Sequence, residues 1–86
     1  MDNKFWIDVV GWIGSIEVIA AYFLISTHRL TAKNVYYHVL NLTGAVFLIA
    51  NTIYYGAYPS TLINIVWLVI AGFAIINMLL KRKTDG

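Results

Sequence analysis

Asn64 and Trp67 stand three residues apart inside the apolar run "LINIVWLVIAGFAII". An asparagine amide offers two donors and an acceptor. A tryptophan one helical turn away adds a flat ring and an N–H. That is how a polar solute is gripped, with hydrogen bonds at its rim and stacking on its face. Asn51 is expected at the same depth, each asparagine about 6 Å below the outer end of its helix. Glu17 is the one ionisable group deep in an apolar stretch, with no lysine or arginine near it in sequence. The rise per residue brings it near Asn41, and the two are expected to meet. Two roles stay open for Glu17: a neutral carboxyl bonded to Asn41, or a group that couples to a proton or recognises a cationic solute. Asn41, Asn51 and Asn77 have a structural alternative as hydrogen-bonding glue between helices, worth about 0.6 kcal/mol each.

Other chemistry has little to work with. There is no cysteine, so neither a disulfide framework nor a thiolate metal site is expected. His28 and His38 lack metal-ligand spacing. No nucleophile–base pair is visible, so enzymatic activity and a cofactor are not expected. Six lysines and arginines in 86 residues give nucleic acid nothing to bind.

The elements that must position these groups are three apolar segments, 5–26, 35–55 and 60–80. At about 1.5 Å per residue each spans roughly 30 Å, the thickness of a bilayer's hydrocarbon core. The composition is 60% hydrophobic and only 12% charged, well below the quarter of charged residues usual in soluble domains. The expectation is an all-α, multi-pass protein of the inner membrane, a single three-helix domain over residues 1–86. The first apolar stretch exceeds the roughly 7–15 residues of a signal-peptide core, so it is read as a retained helix. Arg29 and Lys33 fall in the first loop and Lys81, Arg82 and Lys83 after the third helix. The positive-inside rule then puts the first loop and C-terminus in the cytoplasm and the N-terminus outside. The basic tail is expected to touch anionic lipid.

Short loops, "THRLTAKN" and "GAYPST", make neighbouring helices antiparallel, and Pro59 suits the first turn of the third. The expected arrangement is a triangular bundle whose interior is filled by side chains. Gly11, Gly14 and Ser15 supply small residues for close packing. Helix two gathers Tyr37, His38, Asn41, Gly44, Ala45, Leu48, Asn51, Thr52 and Tyr55 on one broad face, leaving Leu42, Val46, Ile49, Ala50 and Ile53 for lipid. Such a bundle has no axial path for a solute, so transport requires two copies.

Gly44, Pro59 and Asn64, spaced fifteen and five residues apart, together with "VGWIGS" in helix one, resemble the SemiSWEET half-transporters of the PQ-loop superfamily. The resemblance implies a three-helix membrane fold, a homodimer and a sugar-binding role for Asn64. Two family features are missing. No Pro-Gln hinge closes helix one, and Leu48 stands where the family has a stacking tryptophan. Trp67 is the replacement ring inferred here. "GWIG", "NLTG", "YPS" and "NIVW" also resemble a family of short bacterial membrane proteins of unknown function. The expected function is small-solute transport by a homodimer, with Asn64, Trp67 and Asn51 binding a polar solute and Glu17 and Asn41 as coupling candidates. The alternative is an accessory subunit of a larger membrane complex, its polar faces serving as helix–helix glue.

Overall fold

Three helices account for nearly all of the chain in a computed structural model, which describes residues 3–85: α1 (Asn3–Ser26), α2 (Val35–Tyr54) and α3 (Tyr58–Asp85). The expected segments are recovered, and α3 runs five residues beyond its apolar stretch into the basic tail. Pro59 sits in the first turn of α3, where a missing N–H costs nothing. Asn34 caps α2, its Oδ1 accepting from the Tyr36 N–H at 2.8 Å.

Both links turn through a left-handed residue. His28 (φ 62°) ends the α1 connection and lets Arg29 N–H reach Leu24 O at 2.9 Å. Gly56 (φ 69°) does the same after α2, where Ala57 N–H bonds Thr52 O at 2.8 Å. These bonds satisfy carbonyls that a helix end otherwise leaves open.

The triangular bundle is not formed. Among the described residues α2 packs against both neighbours, and α1 and α3 do not touch each other. The helices stand in an open V with α2 at its vertex. The reason lies in α2, whose small and polar residues fall in two adjoining sectors roughly 80° apart, each met by a different neighbour. Gly44 and Asn51 meet α1, while Asn41 and Thr52 meet α3. Of the five residues expected to face lipid, Val46, Ala50 and Ile53 are exposed, while Leu42 and Ile49 are half-buried, Leu42 lying toward Gly72 of α3.

What is buried is small. Ala21, Ala45 and Ala71 form the apolar core, with Asn41 and Thr61 also buried, and among the described residues no large side chain is fully covered. Trp12, Tyr22, Ile19 and Phe73 are each at least 65% exposed. Two helices, Asn3–Ser26 and Tyr58–Arg82, are long and apolar enough to cross a membrane. Helix α2 falls short of the same measure, carrying Tyr36, Tyr37, His38, Asn41, Thr43, Asn51 and Thr52 in its 20 residues.

Candidate functional site

The α1–α2 seam is a glycine contact. A methyl group built on Gly14 would lie 2.9 Å from Gly44 O, and one on Gly44 would lie 2.8 Å from Val18 Cγ2. Only glycine allows backbones this close. The antiparallel register sets Asp8 against Tyr55, Gly11 against Asn51 and Glu17 against Thr43. Asn51 Nδ2 donates to Ile7 O at 3.0 Å, lying so flat over Gly11 that a Cβ there would fall 2.3 Å from it. The Tyr55 hydroxyl donates to Asp8 and the Thr43 hydroxyl to Oε2 of Glu17. A polar niche of about 300 Å³ opens on this seam between Asp8, Trp12, Ser15, Asn51 and Tyr55.

The expected Glu17–Asn41 pair is therefore absent, each group having another partner. Glu17 stays on the α1 side of α2, with Oε1 buried and unpartnered among the described residues. Asn41 faces α3. Its Nδ2 donates to Tyr37 O at 3.0 Å, and its Oδ1 accepts from Trp67 Nε1 at 3.0 Å. This second bond clamps the indole across the α2–α3 seam. Higher on that seam Thr61 Oγ1 donates to Thr52 Oγ1 at 2.8 Å.

Helix α3 presents Thr61, Asn64, Leu68 and Ala71 toward α2, all buried or half-buried. Asn64 thus lies on the packed stripe, between the Thr52–Thr61 bond and the clamped ring. Its amide makes no hydrogen bond to any described residue. Trp67 flanks the stripe with 43% of its surface exposed.

The mouth of the V is a groove of about 540 Å³, with Val18, Ile19, Tyr22 and Ile25 of α1 on one wall and Tyr37, Asn41 and Trp67 opposite. The same tryptophan, with Tyr37 and Asn41, borders a second opening of about 230 Å³ toward His38 and Ala71. His38 is held by its own bond, Nε2 donating to Ala32 O at 2.6 Å.

Neither Asn51 nor Asn64 borders the groove: Asn51 lines the α1–α2 niche and Asn64 lines none of these openings, so the expected set of Asn64, Trp67 and Asn51 does not meet in one cavity. Sequence reasoning did not select Tyr22, Tyr37 or the Asp8–Tyr55 pair. The antiparallel register carries a signal for that pair, since Asp8 and Tyr55 both lie near the ends of facing helices. Among the described residues no cluster of histidines or carboxylates is arranged to hold a metal ion.

The chain matches no curated protein and no solved structure. A family model covers residues 7–83, which takes in all three helices and both links. The chain belongs to that family, whose function is uncharacterised.

Proposed function

We propose that the protein is a small-solute transporter of the bacterial inner membrane, SemiSWEET-like in architecture. Two copies work in parallel, each with its N-terminus outside and its basic end in the cytoplasm. One observation supports the site above the rest. Of the asparagines inside α2 and α3, Asn41 and Asn51 are engaged within the chain, whereas Asn64 and Asn77 make no hydrogen bond to a described residue, and of those two only Asn64 stands one turn from the indole that Asn41 holds. An unengaged amide among apolar neighbours is costly unless something bonds it. A solute with hydroxyl or amide groups does so while stacking on Trp67.

The inside-out distribution of side chains favours the membrane. Large apolar residues cover the surface and alanines fill the core, as expected where lipid rather than water is the solvent. Helix α2 crosses with the others because its polar groups face its two neighbours. The open V supports a second copy. Two grooves brought face to face about an axis along the membrane normal enclose a cavity walled by Tyr22, Tyr37, Asn41 and Trp67 from each side. Glu17, with one oxygen bonded and the other unpartnered, is the coupling group of this scheme.

The accessory-subunit reading has its own observation. The groove is largely apolar, and Asn41, Thr43, Asn51 and Thr61 already hold the chain together. A partner's helix would then fill the V.

Thermal shift and uptake into proteoliposomes, across sugars, amines and nucleosides, separate the two. Transport predicts a response in wild type that Asn64→Leu abolishes while dimerisation persists. Glu17→Gln should retain binding and lose dependence on a proton gradient. A wild-type chain that is monomeric in lipid and responds to no solute favours the accessory reading. Cysteines at Thr31 and Thr84 should resist an impermeant thiol reagent in intact cells, and one at Asn3 should label. Labelling at Thr31 alone reverses the orientation.

A further inference from the structure

The basic end holds a cavity that neither solute binding nor helix packing uses. It measures about 370 Å³ and lies between the first link and the last turns of α3. Three cations, Lys33, Lys81 and Arg82, border it, and among the described residues no acidic one does. Val35, Met78 and Leu79 form the rest of its wall. Lys33 comes from a different element than the other two, so the fold, not a local run of charge, brings them to one opening.

We propose that this cavity is a binding site for an anionic glycerophospholipid. The phosphate sits among Lys33, Lys81 and Arg82, and the glycerol and upper acyl carbons lie on Val35, Met78 and Leu79. The cavity's two halves argue for lipid over free phosphate. Cations alone suit either, whereas an apolar wall directly below them stabilises only a ligand with a hydrocarbon part. Position agrees. Helix α3 has 28 residues, about 42 Å at 1.5 Å each, so its last turns leave a hydrocarbon core of roughly 30 Å. Met78 and Leu79 then lie near the boundary and Lys81 and Arg82 at headgroup level. The inference rests on the membrane placement proposed above and is independent of transport.

The test uses the full chain in mixed micelles of phosphatidylglycerol and phosphatidylcholine, with retained lipid counted by native mass spectrometry. Wild type should retain phosphatidylglycerol selectively. The triple variant Lys33→Gln, Lys81→Gln, Arg82→Gln should bind it on the order of 100-fold more weakly. Arg29→Gln changes a charge on the same link that does not border the cavity, and should leave affinity within about twofold. Inorganic phosphate and free glycerophosphoglycerol should not compete. Equal loss per charge in Arg29→Gln and in the triple variant overturns the site in favour of a diffuse surface field, and competition by inorganic phosphate overturns the lipid assignment. A chain that stays with the bilayer in alkaline carbonate yet retains both lipids equally overturns this site alone. A chain that leaves the bilayer overturns the membrane placement as well.

Discussion

The two seams of α2 are built on different terms. Toward α1 the contact is backbone against backbone through Gly14 and Gly44, and Asp8, Glu17 and Asn51 each make a hydrogen bond across it, with Oε1 of Glu17 buried and unpartnered among the described residues. Toward α3 the spacers are Ala45, Thr61 and Ala71. A Cβ added to Gly72 would meet nothing nearer than Leu42 Cδ1 at 4.0 Å. That seam also holds an unbonded Asn64 and a tryptophan nearly half exposed. A tight, satisfied contact fixes geometry, and a looser one with unengaged polar groups has capacity left for a ligand. In the function proposed above, the α1–α2 hairpin is the frame and carries Glu17, and the α2–α3 seam carries the solute site.

The largest effect should come from closing the glycine contact. Gly14→Ala puts a methyl group 2.9 Å from a backbone oxygen that cannot swing aside, so α1 and α2 must separate. The cost should be about 2 kcal/mol, read as reversible unfolding in bicelles. Gly72→Ala on the other seam should change stability by less than about 0.5 kcal/mol. Similar costs at the two glycines would abolish the distinction between the seams. Gly14 reports on folding of one chain, since its contact is internal and not with a second copy.

Asparagine-to-leucine exchange sharpens the same contrast. Asn51→Leu removes the bond to Ile7 O and should cost about 1 kcal/mol, within the range for interhelical bonds in membranes. Asn64→Leu breaks no bond inside the chain, so stability should hold or rise slightly while any solute response disappears. If Asn64→Leu destabilises as much as Asn51→Leu, Asn64 is glue and the site assignment fails.

Much of this frame was legible in the sequence. Lengths of apolar run gave the helices, and a spacing of three put Asn64 and Trp67 on neighbouring turns. What the sequence did not reveal was which helix stands in the middle. Hydrophobic periodicity reports that a face is polar or small, but not whether one neighbour covers it or two. The broad face of α2 from Tyr37 to Tyr55 was such a case, shared between α1 and α3. The same ambiguity paired Glu17 with Asn41 by depth alone. Depth ignores rotation about the helix axis, and Asn41 points to α3 while Thr43 points to α1. A small-residue stripe at Gly44 and another at Ala45, one residue apart, was the available sign of a helix packed on two sides.

A smaller effect concerns the clamp on the ring. Trp67→Phe keeps an aromatic face but removes the N–H that Asn41 Oδ1 accepts. Stability should fall by about 0.6 kcal/mol, the average for such a bond. Solute affinity should fall with it, because the ring is free to rotate out of the seam. Restored affinity in Trp67→Phe would mean that stacking alone suffices and that the Asn41 bond is only structural.

The smallest effects belong to the links that join the frame to the working seam. His28 and Gly56 occupy the same left-handed region, at φ 62° and 69°, but only glycine does so without strain. A side chain there costs about 1–2 kcal/mol. Glycine, in turn, makes the unfolded chain more disordered, which offsets about 0.4–1 kcal/mol. His28→Gly should therefore stabilise by about 0.5 kcal/mol, and Gly56→Ala should destabilise by a similar amount. Space is not the cause at Gly56, since a Cβ there meets no atom within 4 Å. Unfolding of the two variants in one lipid system checks both signs. A gain in stability for Gly56→Ala would mean that the second link relaxes out of the left-handed region, leaving α3 freer to move against α2 than the bond from Ala57 to Thr52 allows.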